Sequence, residues 1–61
     1  MSRVRDLRIA RGLSQEAVAR AIGVTAKTVS SWESSRRKPF PRNQRRLAKL
    51  LGVEVQELGF G

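Results

Sequence analysis

The chain contains no cysteine and no histidine. The first absence excludes disulfides and thiolate metal sites within it. The two together remove most metal-ligand sets and the commonest general acid–base and nucleophilic arrangements. No metal and no cofactor is therefore expected. The acidic residues number only 5 and are scattered along the chain, so carboxylate chemistry has no centre and an enzyme is not expected. No apolar run approaches the roughly 18 residues of a membrane span. The N-terminal stretch MSRVRDLRIARG lacks the apolar core of a secretory signal. That lack, with the missing cysteine, points to a cytoplasmic protein.

What remains is small and basic. A chain of 61 residues is one domain, read here as residues 1–61. Domains of this size bury only about 60% of their unfolded surface, so stability is marginal and must come from helix packing. Hydrophobic residues make up 39%, enough for one small core but not for a core that also encloses a large substrate cavity. Lys and Arg total 13 against 5 Asp and Glu, a net charge of +8, and the sequence pI is about 11.8. That imbalance on a compact domain is the electrostatic footprint of nucleic-acid binding.

Local signals divide the chain into short helices. Residues 3–11 carry Val4, Leu7 and Ala10 at three-residue intervals, which predicts one apolar stripe. Ser2 suits the N-cap and Gly12 the left-handed stop. Ser14 is a good N-cap for a second helix over residues 15–21, with Val18 and Ile22 on one face and Gly23 as its stop. Thr25 caps a third, running to about residue 34, with Val29 and Trp32 turned inward. The β-branched residues Val24, Thr25, Thr28 and Val29 also suit a strand, but the short spacing and the caps favour helix. Residues 35–40, SRRKPF, form a basic loop. Pro41 suits the first position of a fourth helix over residues 41–51, with Leu47, Leu50 and Leu51 on its core face and Gly52 at its end. Residues 54–58 make a last short turn of helix. The expected fold class is all-α: a compact bundle of five short helices around one core.

The most informative segment is residues 15–34, QEAVARAIGVTAKTVSSWES. Ala19 and Gly23 are small where two helix backbones approach closely, and Val18, Ile22, Val24, Val29 and Trp32 supply the apolar contacts. This is the pattern of a helix-turn-helix, whose second helix enters a DNA major groove. On the outer side of that helix, Lys27 can donate to guanine O6 or N7, the Ala26 methyl can meet a thymine methyl, and Ser31 can hydrogen-bond to several bases. The hydroxyls of Thr25 and Thr28 suit phosphate oxygens. Gln15, at the start of the second helix, can hold a phosphate and also brace the recognition helix, and a plain surface cap is the other reading. Arg37, Lys38 and Arg42 are candidates for phosphate contact, giving affinity and register without sequence choice. Arg45, Arg46 and Lys49 read as a solvated face opposite the leucines.

The stretches LRIARGLSQEAVARAIGVTAKTVSSWE, RRKP and LAKLLGV, in this order and spacing, span nearly the whole chain. They resemble the phage-repressor and Cro-type helix-turn-helix domains, also called the xenobiotic-response-element family. The resemblance implies a lambda-repressor-like five-helix domain that binds double-stranded operator DNA, often as a homodimer on a palindrome. It also implies an ion pair between Arg8 of the first helix and Glu33 at the end of the recognition helix. The chain departs from many relatives at Ser34-Ser35, where they carry a glycine. The leading expectation is a repressor-like transcriptional regulator. An antitoxin-type interaction module that also binds DNA for autoregulation is the alternative, and a protein partner belongs to it. Val53, Val55, Leu58 and Phe60 are candidate dimer contacts; core packing is an equal reading for Val53 and Leu58.

Overall fold

The computed structural model describes residues 3–60; the expected cap at Ser2 lies outside them. Among the described residues there are four α-helices and one 3-10 turn, and no strand: α1 (Arg3–Ala10), α2 (Gln15–Ile22), α3 (Ala26–Glu33), α4 (Pro41–Leu51) and the turn Val55–Leu58.

The helix limits follow from local chemistry. The Ser14 hydroxyl accepts from the Ala17 N–H at 2.9 Å and starts α2. Gly23 ends it at φ 88°, a left-handed conformation that costs glycine little, and its N–H donates to the Ala19 carbonyl at 2.8 Å. Two residues later the Thr25 hydroxyl accepts from the Thr28 N–H at 3.1 Å and starts α3. This rapid stop and restart turns the chain between α2 and α3. Pro41 opens α4, where its missing N–H is no loss. The Glu57 carboxylate accepts from the Glu54 N–H at 2.7 Å ahead of the last turn.

The core draws on every element: Val4 from α1, Val18, Ala19 and Ile22 from α2, Val29 and Trp32 from α3, Leu47, Ala48 and Leu51 from α4, and Leu58 from the last turn. α2 packs on α3 and α4, while α1 packs on α3 and the last turn. The Cα radius of gyration, 9.9 Å, is close to the about 10.5 Å of a compact chain this long. One expectation for α1 is corrected. Ala10 is exposed, and the inner face is Val4, Leu7 and Arg8. A three-residue spacing falls short of a 3.6-residue turn, so two such steps carry Ala10 about 120° off the face of Val4.

Arginines close several helix ends. The last carbonyls of a helix have no partner within it and favour positive charge. Arg46 Nη1 donates to the Ile22 carbonyl at 3.1 Å, at the end of α2. Arg11 Nε donates to the Leu51 carbonyl at 3.2 Å, at the end of α4. Arg3 Nε reaches the Glu57 carbonyl at 3.2 Å. Arg46 was expected on a solvated face; its stem lies on the surface, but its guanidinium ties α4 to α2. Among the described residues, no buried side-chain nitrogen or oxygen is left without a partner.

Candidate nucleic-acid interface

α3 has two sharply different sides. Val29 is fully buried and Trp32 is 4% exposed. Opposite them, Thr25, Lys27 and Ser30 are exposed, and Ser31 is half-buried. Ala26 is half-buried too and packs partly against the core, so only part of its methyl faces outward. Ser30 is a residue that the sequence reading passed over. Its position three residues after Lys27 places it on the same outer face, and that spacing is the signal that identifies it.

Thr25 and Thr28 are joined. Their hydroxyls lie 2.9 Å apart, and the Thr25 oxygen also caps the helix. Each hydroxyl keeps capacity for another partner.

The acidic residue of α3 is turned inward. Glu33, whose side chain is 5% exposed, accepts from Arg8 Nε at 2.7 Å and Arg8 Nη2 at 3.2 Å, a two-pronged pairing that the planar guanidinium favours. Its Oε1 also accepts from Gln15 Nε2 at 3.1 Å. The remaining arm of Arg8, Nη1, donates to the Leu13 carbonyl at 2.8 Å. One carboxylate therefore fastens the end of α3 to α1 and to the first residue of α2. Of the readings open to the Gln15 amide, bracing through Glu33 is the arrangement seen here.

From Ser34 to Val53 the chain has no acidic residue, but carries Arg36, Arg37, Lys38, Arg42, Arg45, Arg46 and Lys49. Arg36 and Arg37 donate their backbone N–H groups to the Ser31 carbonyl at 3.0 and 3.3 Å, which folds the basic loop back on the end of α3. The turn is made without glycine: Ser35 adopts φ 63°. Arg37 and Lys38 then line a shallow depression of about 330 Å³ with Thr28, Trp32, Pro39, Phe40 and Asn43. The fold thus gathers Thr28, Arg37 and Lys38 around one hollow beside α3. Arg42 is exposed on the first turn of α4 but does not line the hollow.

The four candidate dimer residues separate. Leu58 is 2% exposed and belongs to the core, so it is withdrawn as a dimer contact: the last turn uses it to close the base of α1 and α4. Val53, Val55 and Phe60 are half-buried against the same core.

Among the described residues, no group of side chains is arranged to hold a metal ion, and no helix is long and apolar enough to cross a membrane.

Comparison with known proteins agrees with this geometry. A family model described as helix-turn-helix matches residues 4–58. The chain is 42% identical over 57 residues to the cryptic phage CTXphi transcriptional repressor RstR of Vibrio cholerae. The match covers 93% of this chain and 51% of the repressor, so the chain spans about half the length of that curated relative. The crystal structure of the restriction-modification controller protein C.AhdI from Aeromonas hydrophila superposes with a TM-score of 0.84 at 39% identity, covering 92% of this chain and 85% of that one. The family match and the superposition extend over almost all described residues, and the chain belongs to the Cro/C1-type helix-turn-helix family.

Proposed function

We propose that residues 1–61 form a single DNA-binding domain that acts as a sequence-specific, repressor-like regulator, placing α3 in the major groove of double-stranded DNA. Lys27, Ser31 and the outward part of Ala26 read base edges, joined by Ser30. Thr25, Thr28, Arg37, Lys38 and Arg42 contact phosphates, and Gln15 adds one through its position at the start of α2. The protein acts at the nucleoid, in the cytoplasm, by occluding a promoter rather than by catalysis. The observation that carries this reading is the inward lock on Glu33 by Arg8 and Gln15. It fixes α3 on its neighbours and turns the one negative charge of α3 inward, leaving that helix an outer surface of hydroxyls and a cation.

Two copies on a palindrome would set their recognition helices in successive major grooves about 34 Å apart. The exposed parts of Val53, Val55 and Phe60 are the contact proposed for that dimer. The antitoxin-type alternative drew on an exposed apolar C-terminus. With Leu58 buried and the other three half-buried, that reading gains no support.

The test is a binding selection from random duplex DNA at about 150 mM salt. The expected result is an enriched palindrome whose half-site spacing matches about one helical turn or a multiple of it. Binding without any enriched motif, vanishing as salt rises, would reduce the basic surface to a non-specific tether and overturn the proposal.

A further inference from the structure

The side chain of Phe40 does little for the packing of its own chain. It stands at the N-cap of α4, a position favouring Ser, Thr, Asp or Asn because their oxygens accept from first-turn N–H groups. Phenylalanine makes no such bond here. Its ring is also 79% exposed, more than Ile9 at 54%, the other large exposed apolar side chain among the described residues. The position thus forgoes a cap and leaves an apolar ring in water, while its neighbour Pro39 is buried.

The surroundings identify the occupant that would cover the ring. Phe40 forms a wall of the hollow beside α3, whose other walls include Thr28, Arg37 and Lys38. Arg37 and Lys38 precede it in the chain, Arg42 follows it, and all three are exposed. An apolar surface set among cations complements a ligand with an apolar unit between anions. A nucleic-acid strand has that character: a deoxyribose between successive phosphates. A protein partner offering the same alternation is a less economical match, because the hollow adjoins the outer face of α3.

We propose that Phe40 is a DNA-contact residue whose ring packs on a deoxyribose of the strand whose flanking phosphates meet Arg37, Lys38 and Arg42. This deepens the DNA-binding reading above and rests on it. The contact adds affinity and register through apolar burial, so it releases no counterions and carries no salt dependence of its own.

The test uses the whole chain, a mixed-sequence duplex of about two helical turns, and a salt series from about 50 to 200 mM. Phe40→Ser is the main variant because serine restores a cap, so its melting temperature should match or exceed the parent's. It should bind about five- to tenfold more weakly at every salt concentration. Its plot of log affinity against log salt should run parallel to the parent's, whereas Arg37→Ala should lower the slope by about one. Phe40→Leu should recover most of the lost affinity. Equal binding by Phe40→Ser and the parent would overturn the inference while leaving the DNA-binding reading intact. A change in the sedimentation of the free protein with DNA affinity unchanged would overturn it too, assigning the ring to a contact between copies. Failure of the parent to bind any duplex would remove both proposals together.

Discussion

The lock on Glu33 makes the sharpest prediction. Glu33→Ala removes three hydrogen bonds: two from Arg8 and one from Gln15. Arg8, whose side chain is 12% exposed, keeps the Leu13 carbonyl but loses its counter-charge. Removing one partner of a buried pair costs about 3–5 kcal/mol, because the other charge is left uncompensated. Arg8 lies near enough to the surface to swing partly into water, so the lower end, about 3 kcal/mol, is expected. A chain of 61 residues has a total stability of about 3–9 kcal/mol, so one substitution removes a third or more of it. The corresponding fall in Tm is about 12–24 °C. Trp32, the sole tryptophan and 4% exposed, reports unfolding by its fluorescence in urea or on heating. The double variant Arg8→Met with Glu33→Leu should be more stable than Glu33→Ala alone, since replacing both charges by apolar groups avoids the orphaned ion. A loss below about 1 kcal/mol for Glu33→Ala that disappears in high salt would class the pair with ordinary exposed ion pairs. A double variant as unstable as the single one would equally refute the reasoning.

Three further outcomes are expected. Lys27→Ala should relax base preference at one position of each half-site at a cost of about 1–3 kcal/mol, whereas Arg37→Ala should weaken all sequences alike; competition binding with single-base operator variants separates them, and uniform weakening by Lys27→Ala would contradict its assignment to a base. Ser35→Gly should stabilise the fold by about 0.5 kcal/mol, since relief of the left-handed strain at φ 63° outweighs the extra chain entropy that glycine loses; a lower Tm would show that the Ser35 side chain contributes more than its backbone strain costs. Arg46→Ala should cost about 0.5–1.5 kcal/mol by freeing the Ile22 carbonyl, with the salt slope of DNA binding unchanged; a slope reduced by about one would place Arg46 on a phosphate instead.

Much of the architecture is legible in the chain because its causes are local. Ser14, Gly23, Thr25, Pro41 and Gly52 mark the helix limits within one or two residues of themselves, through caps and special backbone angles. Periodicity identifies the inner sides of α2, α3 and α4 for the same reason. It misleads only in α1, where the three-residue spacing drifts and Arg8 takes the inner position that Ala10 was expected to share. The candidate interface is partly legible. Lys27 is marked by its place early on the outer side of the recognition helix, but the pairing of Arg8 with Glu33 came from resemblance to a family, since the two lie 25 positions apart.

The basic residues show where local information ends. In sequence, nothing marks Arg11 or Arg46 as a partner for a helix end. The fold sets the arginines apart by deciding which lies within reach of an orphaned carbonyl. Arg46 and Arg11 meet the ends of α2 and α4, while Arg37 beside α3 and Arg42 on the first turn of α4 remain exposed. Phe40 and Leu58 divide in the same way: two large apolar side chains, one 79% exposed beside the hollow and one 2% exposed in the core. Composition and local pattern by themselves determined an all-helical, cation-rich chain with a helix-turn-helix, because caps and helical periodicity act over a few residues. Which charges close the fold, which remain exposed, and which apolar groups are left outside was decided by tertiary structure alone, because those roles depend on contacts between residues far apart in the chain.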